Sequence, residues 1–201
     1  MRFATLIAAA LSVGACSSDA PAAPAASAAP QRAAAVFAGG CFWCTEADFD
    51  KMPGVLSTTS GYTGGKLRNP TYEQVSAGGT GHIEAVRVVY DPTRTSYATL
   101  ASRFIQTIDP LDSGGSFCDR GYGYRSAYFV ADASQRKIAE TVTARASTKL
   151  KKPVATLILP AATFYPAEGY HQDYYKKNPV RYRFYRLNCG RDARLAALWG
   201  K

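Results

Sequence analysis

The sequence of 201 residues predicts an α+β domain, a two-layer α/β sandwich built from βαβ units, and three observations carry that expectation. Short apolar and β-branched runs alternate with stretches of helical spacing, and Gly or Pro punctuates most of the joins. The composition, 47% hydrophobic and 12% aromatic, supplies one substantial core and excludes a disordered chain. No internal repeat and no second linker divides the chain after residue 32.

Residues 1–16, MRFATLIAAALSVGAC, have the layout of a secretory signal: one early positive charge, a short apolar run and small residues at its end. The run is too short to span a bilayer as a helix. Its last residues, Val13-Gly14-Ala15-Cys16, resemble a bacterial lipobox, so Cys16 is expected to be lipidated. The expected location is outside the cytoplasm, periplasmic or extracytoplasmic, with a lipid anchor in the membrane. Residues 17–32 are rich in Ala, Pro and Ser, which bury no core and form an extended linker. The folded domain is expected over 33–201.

Within it, Ala34 to Ala38 reads as a strand, Gly39-Gly40 as a tight turn, and Cys41 to Lys51 as a helix stopped by Pro53-Gly54. Val55 to Tyr62 is a second strand, and Asn69-Pro70-Thr71 opens a short helix through Val75. Glu84 to Tyr90 is the strongest strand, followed by a helix over Ser96 to Ile108 with Leu100, Phe104 and Ile108 on one face. A Gly-rich loop, DSGGSFCDRGYGY, precedes the strand Ser126 to Ala131 and an amphipathic helix over Ala133 to Lys149. Val154 to Leu159 reads as a buried strand and Tyr165 to Lys177 as a helix ending before Asn178-Pro179. These elements fit a ferredoxin-like plait with an extended C-terminal tail over 180–201, helical only across Arg194 to Trp199.

The formal charge of +9 would suit an anionic partner, but Lys and Arg are scattered and thickest in the tail. A solvated basic surface is the better reading and nucleic acid is not expected as a partner; anionic lipid is an intermediate case. In an oxidising compartment Cys41, Cys44, Cys118 and Cys189 could form two structural disulfides, a metal site or a redox-active set. Zinc is disfavoured, because His82, His171, Cys118 and Cys189 are dispersed without a second paired motif.

Strand, Gly-Gly turn and helix in succession put Cys41 near a helix N-terminus, where free N–H groups and the helix dipole favour a thiolate. Phe42 and Trp43 beside it would form an apolar cup suited to an uncharged S-methyl group. GCFWC after an apolar strand, then GYTGG, NPTYEQV, GHIEAVRVVYDP, YRSAYF and FYPAEGYHQDYY, in that order, resemble the peptide-methionine sulfoxide reductase A family. The resemblance covers the domain from about Val36 to Pro179.

It implies thiol-dependent reduction of methionine S-sulfoxide in oxidised proteins or peptides, and of free methionine sulfoxide, with no bound cofactor and no metal. The electron donor it implies is thioredoxin or a thioredoxin-like thiol reductant. Cys41 corresponds to the family's nucleophile and Glu84 to its proton donor, which must sit in a dry site to stay protonated. Tyr72 and Tyr124 correspond to the hydroxyls on the sulfoxide oxygen, Phe42 and Trp43 to the methyl pocket, and Asp119 to an active-site carboxylate. With 13 Tyr in the chain, the tyrosine assignments rest on motif position. His171 is expected to pack or to support its loop.

Many relatives have Gly where this chain has Cys44, and recycle through cysteines of a flexible tail. The thiol that condenses with a Cys41 sulfenic acid is therefore Cys189 or Cys44, with Cys118 as a relay or a buried group. Two other classes fit parts of the sequence: a CxxC thiol-disulfide oxidoreductase using Cys41 and Cys44, and a non-enzymatic surface lipoprotein with two structural disulfides.

Overall fold

A computed structural model of the chain describes Met1 and residues 31–200. The signal, the Cys16 lipidation site and all but the end of the linker lie outside the described residues.

The strands are β1 (Ala33–Gly39), β2 (Val55–Thr63), β3 (Ile83–Tyr90), β6 (Ser126–Val130), β7 (Leu157–Pro160) and β8 (Tyr165–Pro166). They form one mixed sheet in the order β7-β6-β1-β3-β2-β8, and β4 (Gly115–Ser116) pairs with β5 (Asp119–Arg120) in a small separate hairpin. Only β6 and β7 run parallel; the other pairings are antiparallel. The βαβ expectation is thus met in a split form. After β1, helix α1 (Phe42–Phe49) leads to β2, but β3 inserts between β1 and β2.

Alternation along the strands divides the core. Ala35 and Phe37 of β1, with Val86 and Val88 of β3, face the helices. Val36, Ala38 and Ala85 face a smaller cluster that includes Phe129 and Phe164. On the helix side, Phe37, Phe49, Phe104 and Tyr128 pack as an aromatic centre, with ring centroids 4.8 to 6.0 Å apart where they touch. Helix α3 (Tyr97–Phe104) is capped by the Ser96 side chain and contributes Leu100, Ala101 and Phe104. Helix α4 (Ala133–Leu150) is capped by Asp132 and buries only Ala139, Val142 and Ala146.

Three expectations are corrected. The strand anticipated from Val154 starts at Leu157 and is only half-buried, because it is a sheet edge paired with β6 alone. The helix expected over Tyr165 to Lys177 is instead β8 on the edge of β2, then turns, then the single helical turn α5 (Tyr174–Lys177). Pro166, which has no N–H, and Gly169 keep that stretch from helical continuity. The C-terminal tail is not extended. It forms α6 (Pro179–Asn188), begun by Pro at its first position, and α7 (Arg191–Trp199), with left-handed Gly190 breaking the two apart. Among the described residues no helix is long and apolar enough to cross a membrane.

Candidate active site

The site begins where β1 ends. Gly40 turns the chain with φ +80°, and a Cβ there would collide with Ser116 of the β4–β5 hairpin, so the turn and the hairpin pack only around glycine. Cys41 follows as the N-cap residue of α1, its own carbonyl accepting from the Cys44 and Thr45 N–H groups at 3.2 Å. Because β3 runs antiparallel to β1 with Val86 opposite Phe37, the start of β3 lies against the end of β1. Glu84 thereby meets α1, and the Phe42 N–H donates to its Oε2 at 3.0 Å.

Cys41, Phe42, Trp43, Tyr72, Glu84, Asp119, Tyr124 and Tyr185 line one small cavity of about 50 Å³. Larger concavities exist among the described residues, such as that of about 230 Å³ between α3, α4 and α7, which gathers no acid or thiol, but Cys41 lines only the small one among the cavities described. Every residue assigned to the sulfoxide by sequence resemblance therefore converges, from the start of α1, the helix α2 (Tyr72–Ala77), β3, the hairpin and the 3-10 turn Tyr122–Tyr124 that follows it. Tyr72 is held by Glu168, which accepts its N–H at 2.8 Å and the Tyr62 hydroxyl at 2.9 Å. Tyr124 lines the same cavity beside Tyr72. The Trp43 indole N–H donates to His171 Nδ1 at 3.0 Å, and its ring stacks on Tyr174 with centroids 3.7 Å apart. His171, buried against Phe42 and Tyr72, thus fixes the aromatic wall.

Burial decides the protonation states. Glu84 is 3% exposed, and burial pushes its carboxyl up to about 8, with Asp119 adding to the rise and the Phe42 hydrogen bond opposing it. It is a neutral acid at pH 7. Burial likewise holds the Tyr72 and Tyr124 phenols protonated. Asp119 is raised by burial, against the Tyr185 hydroxyl that donates to its Oδ2 and the nearby Arg191 cation.

The cysteines depart from expectation. A thiolate was anticipated at Cys41, yet that thiol is buried and its pKa is raised, first by burial and then by Cys44. The lowered group is Cys44, 1% exposed and brought to about 7 by the Cys41 hydrogen bond, with Arg191 and Arg186 assisting against burial. Desolvation outweighs the helix start at Cys41, and it is at Cys44 that the Arg191 and Arg186 cations favour the anion. Cys118 and Cys189 are joined in a disulfide. A chain with two structural disulfides is thereby disfavoured, since Cys41 and Cys44 are free.

Cys118, Asp119 and Cys189 are the one cluster of metal-type ligands among the described residues, and the disulfide consumes both of its sulfurs. The histidines are engaged elsewhere: His82 bridges Gly65 and Leu67, and His171 holds Trp43.

Sequence reading missed three residues of the tail. Tyr185 lines the cavity, Arg186 binds Asp48 at 2.9 Å and Asp192 at 2.7 Å, and Arg191 is buried, donating to the Gly39 and Thr107 carbonyls. Once α6 is drawn as a helix, Tyr182, Tyr185, Arg186 and Cys189 fall on one face at spacings of three and four, a signal present in RYRFYRLNC.

The family model of peptide methionine sulfoxide reductase matches residues 33–201. The peptide methionine sulfoxide reductase MsrA 2 of Caulobacter vibrioides is 55% identical over 174 residues, 86% of this chain and 88% of the relative. The reduced form of Mxr1 from Saccharomyces cerevisiae is 30% identical with a TM-score of 0.71, over 74% of this chain and 87% of that one. Mxr1 in complex with Trx2 matches in fold, at 21% identity and a TM-score of 0.50 over 71% and 84% of the two chains. With most of its length matched and its sulfur chemistry gathered around Cys41, this chain belongs to the peptide methionine sulfoxide reductase family.

Proposed function

We infer that the chain is a peptide-methionine (S)-S-oxide reductase that repairs oxidised proteins and also accepts free methionine sulfoxide. One observation carries this reading: a free buried thiol, a neutral carboxylic acid and two phenols meet in a single cavity with an aromatic wall. A sulfoxide sulfur accepts a nucleophile only as its oxygen gains a proton, and this set of groups supplies both.

The Cys41–Cys44 monoanion moves its charge to Cys41 by proton transfer, and Cys41 attacks the sulfoxide sulfur. Glu84 protonates the oxygen while Tyr72 and Tyr124 donate hydrogen bonds to it. Phe42 and Trp43 take the methyl group. In net terms Cys41–SH and the methyl sulfoxide give Cys41–SOH and the thioether, a two-electron reduction of the methionine sulfur. Cys44 then displaces the hydroxyl to form a Cys41–Cys44 disulfide and water. Cys44 is preferred over Cys189 because it is the free thiol beside Cys41, whereas Cys189 is bonded to Cys118.

A thioredoxin-like dithiol restores the pair. The solved complex of Mxr1 with Trx2 makes that donor class the natural one. A pure thiol-disulfide oxidoreductase would leave Glu84, Tyr72 and Tyr124 without work. The finer fold assignment, a ferredoxin-like plait, is supported by the antiparallel order β6-β1-β3-β2 with α1 and α3 in the crossovers. Export and a lipid on Cys16 rest on residues 1–16 of the sequence.

The test is an epimer-resolved assay of methionine sulfoxide with dithiothreitol, for wild type and Cys41→Ser. The S epimer should be consumed and the R epimer left. Turnover surviving in Cys41→Ser overturns the nucleophile assignment. Labelled palmitate should enter the full chain expressed in bacteria but not Cys16→Ser.

A further inference from the structure

We propose that Tyr185 is a catalytic residue of the second chemical step, its hydroxyl holding the oxygen of the Cys41 sulfenic acid while Cys44 displaces it. The proposal rests on the sulfoxide reductase reading and adds to it a residue that no matched motif contains. Tyr185 lies beyond the last of those motifs, in α6.

Position is the first argument. Of the residues lining the cavity, Tyr185 alone comes from the C-terminal helices. Its hydroxyl donates to Asp119 Oδ2, and it lines the same cavity as Cys41. Its ring meets Trp43 edge-on at 5.7 Å and packs on the cluster formed by Cys44, Ala47 and Tyr182. Tyr185 therefore stands where the surroundings of the two thiols join. Glu84, Tyr72 and Tyr124 line the Cys41 cavity, whereas the aromatic residues packed with Cys44 are Trp43, Tyr174, Tyr175, Tyr182 and Tyr185.

Chemistry is the second. In this step the Cys44 sulfur forms a bond to the Cys41 sulfur, the S–O bond breaks, and its electron pair leaves with oxygen. That oxygen takes up the proton released when Cys44 ionises, giving water. A hydroxide-like leaving group needs a donor already aimed at it. The Tyr185 phenol stays protonated, because burial, the Cys41 sulfur and the Asp119 carboxyl all oppose its ionisation. Asp119 orients it and receives the hydrogen bond when no oxygen is on Cys41.

Y185F keeps the ring and its packing and removes only the hydroxyl. One equivalent of methionine S-sulfoxide is mixed with reduced enzyme without external thiol. Methionine release, dimedone labelling of Cys41 and Cys41–Cys44 disulfide formation are then followed together. In Y185F, methionine should form within about 3-fold of the wild-type rate, while disulfide formation slows about 10- to 100-fold and the dimedone adduct builds up. The slowing should persist across the pH range, unlike an effect on Cys44 ionisation. Unchanged disulfide formation, or equal slowing of both steps, overturns the proposal; equal slowing would assign Tyr185 to the sulfoxide itself. Failure of the wild type to release methionine would instead sink the parent reading.

Discussion

The cavity is built by two regions of different character. The first, from β1 to β6, carries Cys41, Tyr72, Glu84, Asp119 and Tyr124 on the sheet and on the segments that connect its strands, with strand register setting Glu84 beside the end of β1. The second, α6 and α7, has no place in the sheet and brings Tyr182, Tyr185, Arg186 and Arg191 around Cys44. In the proposed reaction the sheet region addresses the sulfoxide oxygen and the helical region sets the state of the thiols. A rigid frame suits a bond-making geometry, whereas tuning an anion needs only charges nearby.

The sharpest way to break this division is Glu84→Gln. It should slow methionine formation by about 10²- to 10³-fold with the tail intact. In wild type that step should fall above about pH 8, as Glu84 loses its proton, and the variant should lose this limb. Stability should follow the same group. Its folded pKa lies above its unfolded one, so its neutral form favours folding at low pH and the advantage is lost as pH rises from about 4.5 through about 8. Melting curves of Glu84→Gln should lack that decline.

Cys44→Ser tests the other region. One methionine per enzyme should still appear in a quenched single turnover, more slowly because Cys44 no longer shares the anion with Cys41, and steady turnover with a thioredoxin-like donor should drop about 100-fold. A full second turnover at wild-type rate would hand the resolving role to Cys189. Arg191→Met is a smaller perturbation of the same kind. The Cys44 pKa near 7 depends first on Cys41 and then on cations such as Arg191, so it should rise, moving the low-pH limb of disulfide formation to higher pH. The lost buried hydrogen bonds should cost about 2 kcal/mol in chemical denaturation. Smallest of all, Leu187→Ser on the outer, exposed side of α6 should change stability by less than about 0.5 kcal/mol, showing that only the inner face of that helix matters.

The two regions were also unequally legible. Gly40, Cys41 and Glu84 stand in local patterns, a strand end, a glycine turn and a helix start, that physical chemistry interprets one segment at a time. Tyr185 and Arg191 sit in a basic, aromatic run whose composition resembles a solvated surface. Their burial depends on α6 folding back over α1, a contact between residues more than a hundred positions apart. The thiolate expectation erred for the same reason: a helix start is visible locally, but the desolvation of Cys41 comes from everything packed above it. The pairing of Cys118 with Cys189 was likewise closed to spacing arguments.

That bond joins residues 71 positions apart, a loop long enough for its closure to disfavour the unfolded chain by about 4 kcal/mol. Its reduction would subtract that support from the fold. The consequence concerns endurance: in surroundings oxidising enough to damage methionine, the repair enzyme is itself at its most durable, and a reducing environment makes it easier to unfold.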